Sequence, residues 1–291
     1  MLWHLLLFYF YPFYESRNQF ILTLILRWYL IKKIQKMKKI YLFLGMIFIT
    51  SGVWSQVQRT QAAFMPGNLV IYRVGSGAGS LINTGNPVFL DEYTPTGTLV
   101  QSIALPTTVI GTNKQLIASG TSSSEGLLTR SSNGQYLILT GYASDIPGAA
   151  SLSGTASATV NRTIGLVDYN GIINTTTALT DAATGSSPRS AISSNGTNLW
   201  HTGGAGGIRY TTLGSTTSTQ LSTTVTNLRQ ANIFNGQLYT SSSSTTFHLS
   251  TVGTGSPITS GQTITNLPGF PTTGSQYGFF FADLNAGVAG G

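Results

Sequence analysis

Residues 188–200 have the sequence Pro-Arg-Ser-Ala-Ile-Ser-Ser-Asn-Gly-Thr-Asn-Leu-Trp, and residues 228–239 have the related sequence Leu-Arg-Gln-Ala-Asn-Ile-Phe-Asn-Gly-Gln-Leu-Tyr. Arg189 and Arg229 are 40 positions apart. The same spacing, 40 or 39, separates three further pairs: Asn195 and Asn235, Ile208 and Phe247, and Gly214 and Gly253. A period of about 40 residues with several short strands per unit is typical of a β-propeller blade. We therefore predict an all-β chain built from four-stranded blades.

Strand patterns on either side of the repeat supply further units. Runs of β-branched and aromatic residues bounded by Gly, Pro and Asn indicate strands. They fall at 68–74, 87–93 and 98–105 in a first unit, at 127–131, 135–140, 162–169 and 172–175 in a second, and at 276–284 at the opening of a fifth. About four blades and the start of a fifth do not make an obviously closed ring. We expect an incomplete β-propeller over residues 64–291, truncated at its C-terminus.

Three inner hairpins carry Asn-Gly at the turn: Asn133-Gly134, Asn195-Gly196 and Asn235-Gly236. Two-residue hairpin loops favour type I′ turns, which need positive φ at both central residues. Asn tolerates this conformation, and Gly has no side chain to oppose it. We therefore predict type I′ turns in matching places.

The net charge of +7 does not indicate nucleic-acid binding. Residues 1–55 hold seven of the fifteen basic residues and one acidic residue, whereas the rest of the chain carries eight basic and seven acidic residues. A nearly neutral body lacks the basic surface that binds phosphate backbones. We expect no nucleic-acid partner.

Catalytic and metal-binding patterns are weak. The chain has no cysteine, which excludes thiolate metal sites and thiol redox chemistry. His201 and His248 have no carboxylate nearby in sequence, and the acidic residues are too scattered for a calcium loop or a glycosidase pair. The sequence predicts no catalytic residue, no metal and no cofactor.

Residues 37–55 have the layout of a secretory signal peptide. The basic segment Met37-Lys38-Lys39 precedes an apolar run of ten residues, and small side chains place cleavage after Ser55. The run is too short for a permanent membrane anchor. We predict a secreted, cell-surface or periplasmic protein in which residues 56–63 form a linker.

Residues 1–36 have two interpretations. We favour translated upstream sequence ahead of a start at Met37, because a signal peptide works at the true N-terminus. The alternative is a membrane-associated helix over residues 20–31, interrupted by Arg27. Membrane contact is expected only through this uncleaved segment.

The candidate binding residues are Arg130, Arg189 and Arg229, which we expect to occupy matching places, each just ahead of an inner hairpin. The innermost strand of a blade lines the central channel, so the three guanidinium groups could converge on an anion or a carboxylate. Alternatively, each pairs with a carboxylate or backbone carbonyls between blades. One arginine per blade favours this second interpretation, because stacked repeats need the same contact between each pair of neighbouring blades.

The blade pattern with Asn235-Gly236-Gln237-Leu238-Tyr239 resembles secreted bacterial β-propeller proteins of the NHL, YVTN and kelch groups, over about residues 64–284. The chain lacks a Trp-Asp blade signature, and only Leu199-Trp200-His201-Thr202-Gly203-Gly204 has kelch character. The resemblance implies fold and export, and it carries no functional residue.

Two functions fit such a chain. The first is a non-enzymatic exported propeller that binds glycans or surface proteins through its loops or channel. The second is an extracellular hydrolase or lyase with its site at the channel mouth. A catalytic site needs convergent carboxylates or a His–carboxylate contact, whereas a binding face presents aromatic and amide groups without one.

Overall fold

The computed structural model describes residues 32–33, 61–243, 246–270, 274–282 and 287. The predicted signal peptide and nearly all of the upstream segment lie outside the described residues. Residues 56–60 of the predicted linker also lie outside them. Sixteen β-strands form in the described part. No helix there is long and apolar enough to cross a membrane.

One eight-stranded sheet holds the first half of the strands. They are β1 (Leu69–Val74), β2 (Asn86–Tyr93), β3 (Leu99–Ala104), β4 (Ile117–Ala118), β5 (Thr129–Arg130), β6 (Tyr136–Tyr142), β7 (Arg162–Asp168) and β8 (Ile173–Leu179). Strands β5, β6, β7 and β8 pair in chain order as an antiparallel meander, which confirms the strands of the predicted second unit.

The predicted first unit does not form a separate blade. Its strands β1, β2 and β3 pair antiparallel, as expected. The short strand β4 then pairs with both β2 and β6, so it joins this meander to the next one. Two predicted units are therefore fused into one sheet.

The repeat produces two separate four-stranded sheets of the same design. The first contains β9 (Pro188–Ser193), β10 (Asn198–Gly203), β11 (Arg209–Thr212) and β12 (Thr219–Gln220). The second contains β13 (Leu228–Phe234), β14 (Gln237–Ser242), β15 (Leu249–Val252) and β16 (Ile264–Asn266). In both, each strand pairs antiparallel with the next along the chain, so the 40-residue period marks one four-stranded meander.

Loop length decides which Asn-Gly turns adopt the predicted geometry. Asn235 and Gly236 close a two-residue loop between β13 and β14, and both have positive φ, 48° and 77°. The loops at Asn133 and Asn195 are longer, and only their glycines have positive φ. The predicted type I′ turn is thus confirmed at Asn235 and wrong at the other two, because longer loops form around other turn types.

At Asn195 the side chain stabilises the longer loop by accepting backbone hydrogen bonds. Its Oδ1 accepts hydrogen bonds from the backbone N–H groups of Thr197 and Asn198, both at 3.0 Å. Asn133 Oδ1 accepts one from Gln135 at 3.2 Å. Asn therefore serves these longer loops through its side-chain carbonyl.

Apolar clusters fill the spaces between successive sheets. One cluster joins the sheets β9–β12 and β13–β16, with Ile192, Trp200 and Leu228 among its members. A second joins the β5–β8 meander to β9 and β10 through Ile164 and Leu199. Full burial of each large aliphatic side chain stabilises the fold by about 1.5–3 kcal/mol.

The first strands of successive meanders lie side by side. Leu127, just before β5, forms a parallel bridge with Ser190 of β9, and Ser132 N donates to Ser193 O at 2.9 Å. On the other side of β9, Ala231 N of β13 donates to Ser190 Oγ at 3.3 Å. Strand β9 has neighbours on both faces, which explains why all six of its residues are buried.

The predicted fifth unit begins without a strand in residues 274–282, the part that is described. This segment still packs on the last sheet: Ser241 Oγ donates to Tyr277 O at 2.7 Å, and Phe279 N donates to Gln230 Oε1 at 2.7 Å. The Phe281 ring lies 4.5 Å from that of Tyr239. The described chain is all-β, with several four-stranded antiparallel arrays that do not close into a ring.

Candidate functional site

The structure separates Arg130 from the other two candidate arginines. Arg189 and Arg229 each precede the turn glycine of their hairpin by seven positions, whereas Arg130 precedes Gly134 by four. Arg130 is exposed, and its Nε donates to Gly134 O at 3.1 Å within its own hairpin. Leu127 takes the position that matches Arg189. Arg130 therefore does not share the place in the strand that the other two occupy.

Arg189 links two sheets. It is the second residue of β9 and is 9 % exposed. Its Nη1 donates to Leu228 O of β13 at 2.9 Å and also to Asn227 Oδ1. Burial and the neighbouring Arg229 lower the pKa of Arg189 to about 10. Bonding to a backbone carbonyl of the next unit agrees with the second of the two interpretations for this residue.

Arg229 occupies the equivalent place in β13. Its Nη2 donates to Ser243 Oγ at 3.1 Å, and its guanidinium lies 4.3 Å from the centroid of the Tyr277 ring. The Nε atoms of Arg189 and Arg229 are both buried, and neither has a hydrogen-bond partner among the described residues. The structure thus brings two of the three candidates together and leaves each with unused donors.

Glu125 lies near this end of the strands and was missed by sequence reasoning. Its carboxylate accepts hydrogen bonds from the Tyr142 hydroxyl and from Ser119 N at 3.1 Å. Burial raises the pKa of Glu125. Its position in the repeat could have drawn attention to it. Glu125 lies nine residues before the turn glycine of its hairpin, and Ser187 and Asn227 take the same position in the next two units.

The two histidines have different surroundings. His201 is buried, and neither ring nitrogen has a hydrogen-bond partner in the described part of the chain. Burial and then the cations Arg209 and Arg162 lower the pKa of His201 to about 3, so the ring is neutral at ordinary pH. His248 Nδ1 lies 2.9 Å from Gln276 Oε1. Among the residues that the structure describes, neither ring has a hydrogen bond to a carboxylate, the contact that activates a catalytic base.

A cavity of about 310 Å³ lies beside Arg130. Residues 64–70, the β5–β6 hairpin and the β7–β8 hairpin surround it. The contact between Phe64 N and Tyr169 O, at 2.9 Å, holds the first of these segments against the third. Because its walls come from three chain segments that lie about 30 to 60 residues apart in sequence, the cavity could not be located from the sequence.

The cavity walls combine apolar, aromatic and polar groups. The aromatic members are Phe64, Tyr136 and Tyr169, the amides are Asn68 and Gln135, and the charged members are Arg130 and Asp168. Asp168 Oδ1 accepts a hydrogen bond from Ile172 N at 2.8 Å, so this carboxylate stabilises its own turn. A cavity of this size with an apolar floor and a few polar groups has the character of a small-ligand site.

Acidic and imidazole groups do not cluster near either place. Within the described ranges, no group of three or more His, Asp and Glu side chains is arranged to hold a metal ion. The site features are therefore two: the Arg130 cavity and the Arg189–Arg229 pair.

The class of protein defined by the fold is an all-β chain of stacked antiparallel sheets. Comparison with models of known protein families gives no match, and comparison with curated proteins gives none.

Proposed function

We propose that the protein is an exported, non-enzymatic β-propeller that acts as a surface or extracellular binding module, with a glycan as its ligand. Three features support the propeller architecture: meanders of four strands, a 40-residue period, and first strands that lie side by side. The secreted bacterial group that the sequence resembles fits this architecture. Export rests on the signal-peptide pattern at residues 37–55.

The lining of the Arg130 cavity is the observation that carries the binding function. Sugar rings are bound by stacking of their C–H faces on aromatic rings and by planar polar side chains that bond to their hydroxyls. The cavity offers Phe64, Tyr136 and Tyr169 for the first interaction and Gln135 with Arg130 for the second. Its only carboxylate, Asp168, is engaged by the backbone of its turn. This is the pattern of a binding face rather than of a catalytic pair.

A glycan array with the purified protein tests the proposal. We expect reproducible binding to a limited set of saccharides without release of products. Tyr169→Ala removes a cavity aromatic that is 55 % exposed, and it should weaken binding at least tenfold. Phe280→Ala is the matched control, because Phe280 is 80 % exposed and does not line the cavity. Equal binding by the two variants, or no binding to any saccharide, would refute glycan recognition here; capture of a surface protein instead would replace the ligand class.

A hydrolase or lyase is the second candidate, and Glu125 is the observation that favours it. A carboxylate whose pKa is raised by burial can act as a proton donor, and the Tyr142 hydroxyl is bonded to it. The buried Tyr72 hydroxyl has no hydrogen-bond partner among the described residues, and its pKa is raised by burial and by Glu125. Release of reducing ends from an array saccharide by the wild type, abolished in Glu125→Gln, would establish this function over the first.

A further inference from the structure

The Arg189–Arg229 pair is a site that the proposed glycan binding does not use. The two side chains sit at the same position of two neighbouring first strands. Arg189 Nη1 reaches the carbonyl of Leu228, the residue directly before Arg229. Neither arginine belongs to an ion pair in the described part of the chain, where the pairs are Arg73–Asp91 and Arg209–Asp181.

The donors of Arg189 are only partly used. A guanidinium carries five N–H donors, and the edge formed by Nε and Nη2 presents two of them in parallel. The bonds of Arg189 to described residues both come from Nη1. Its Nε is buried without a partner there. The edge that binds a carboxylate or phosphate in two-point fashion is therefore unengaged.

Arg229 is held in place by uncharged groups, and no carboxylate of the described residues forms an ion pair with it. The Tyr277 ring stacks against it, and Ser243 Oγ accepts from Nη2. Its Nε is likewise buried with no partner among the described residues. The Tyr277 side chain is 40 % exposed, whereas the Nε atoms of both arginines are buried.

Arg229 helps to lower the pKa of Arg189, so the two positive charges repel each other. Glu125 acts on Arg189 electrostatically, but its oxygens already accept from Tyr142 and Ser119. An oxyanion between the two guanidinium groups would compensate both charges and occupy the unused donors.

We propose that Arg189 and Arg229 form a binding site for a single oxyanionic group, a carboxylate or a phosphate, carried by a small ligand. Arg189 supplies the two-point edge, and Arg229, oriented by Tyr277, supplies the second charge. The site is separate from the Arg130 cavity, so it holds or fails independently of glycan binding.

Isothermal titration of the purified full chain tests the site, with acetate, inorganic phosphate and sulfate as probes at constant ionic strength, because none of these is a saccharide that the Arg130 cavity is proposed to bind. We expect at least one probe to bind and to raise the melting temperature. Carboxylates alone would indicate a planar ligand group, and phosphate or sulfate a tetrahedral one.

Variants assign the binding to these residues. Arg229→Gln should raise the Kd of the bound probe about 10- to 100-fold, since it removes a charge-assisted interaction. Arg189→Lys keeps the charge but not the two-point edge, and it should weaken binding about tenfold. Lys114→Gln is the matched control, because it removes one positive charge outside both the Arg189–Arg229 pair and the lining of the Arg130 cavity, and it should bind the probe as the wild type does.

Two results would overturn the site. One is that no probe binds or stabilises the wild type at 20 mM. The other is that folded Arg229→Gln, checked by circular dichroism, binds as tightly as the wild type. If Arg189→Lys fails to fold, Arg229→Gln alone decides. Tyr169→Ala should leave probe binding unchanged, which separates this outcome from the fate of the glycan proposal.

Discussion

Arg162 and Arg189 are both buried arginines at junctions between successive sheets, and they differ in how they use their donors. The Arg162 junction lies between the β5–β8 meander and the sheet β9–β12, and the Arg189 junction lies between that sheet and β13–β16. Arg162 is 0 % exposed, and all three of its nitrogens donate, to the carbonyls of Thr155, Val160, Ala183 and Ser186 and to the Thr155 hydroxyl. Arg189 donates to the described residues from Nη1 alone.

The difference between Arg162 and Arg189 shows that burial does not by itself identify a structural arginine. A guanidinium whose donors are all bonded to carbonyls is part of the fold. One with an unengaged edge beside a second cation has donors available for a ligand. Substitutions at the two junctions test this distinction.

Removal of the guanidinium should be far more costly at the Arg162 junction. Arg162→Met leaves four carbonyls without their donor, and we expect the free energy of unfolding to fall by about 3–5 kcal/mol. Arg189→Met should cost about 1–2 kcal/mol, because it also removes a repulsion with Arg229. Urea denaturation of the two variants measures both values. Similar losses in the two would contradict the distinction.

Acid should weaken the Arg162 junction through His201. The pKa of His201 is lowered to about 3 by burial, Arg209 and Arg162, with Asp181 acting in the opposite direction. The unfolded chain takes up this proton near pH 6.5, so the stabilisation is complete above that pH and is lost as pH falls toward 3. Between pH 7.5 and 5 the loss should be about 2 kcal/mol.

His201→Gln isolates this effect in denaturant titrations at several pH values. The variant should lose about 2 kcal/mol less than the wild type over the same range. Both proteins keep Glu125, whose raised pKa contributes with the opposite sign, so their difference reports His201. Parallel pH profiles would show that folding does not lower the pKa of His201.

Asn227→Ala should have a smaller effect, confined to the Arg189 junction. It removes the side-chain acceptor of Arg189 Nη1 and leaves the bond to Leu228 O in place. We expect a loss of about 1 kcal/mol in urea denaturation. A loss above about 3 kcal/mol would mean that the junction is as tightly built as the one at Arg162.

Arg130→Gln should change stability least, by less than about 0.5 kcal/mol, because the residue is exposed and lies in neither junction. The melting temperature would reveal a larger effect. A marked loss would show that the Arg130–Gly134 bond stabilises the hairpin.

Much of the repeated part follows from the sequence. Two meanders of the same design are correctly predicted by the 40-residue spacing of Arg189 and Arg229 together with the Asn235-Gly236 turn. Both signals depend on residues that are close to each other in sequence. The fusion through Ile117–Ala118 could not be predicted. A two-residue strand has no periodicity, and its pairing with both β2 and β6 depends on contacts distant in sequence.

The candidate site could be predicted only in part. Arg189 and Arg229 were identified by equal spacing, and the structure makes them neighbours. The number of residues between each candidate and its turn glycine would have shown that Arg130 does not match Arg189 and Arg229. The same comparison would have identified Glu125. The Arg130 cavity required the docking of Phe64 against Tyr169, which no local pattern encodes.

The side-by-side first strands have a consequence for how the molecule comes apart. Successive arrays are linked by hydrogen bonds between neighbours. Arg189 donates to Leu228 O, and Thr202 Oγ1 donates to Arg229 O at 2.7 Å. Coupling of this kind is nearest-neighbour, so local opening spreads stepwise and each array loses protection when its neighbour opens. Backbone amides of β9 and β10, flanked on both sides, should then be the slowest to exchange with deuterium.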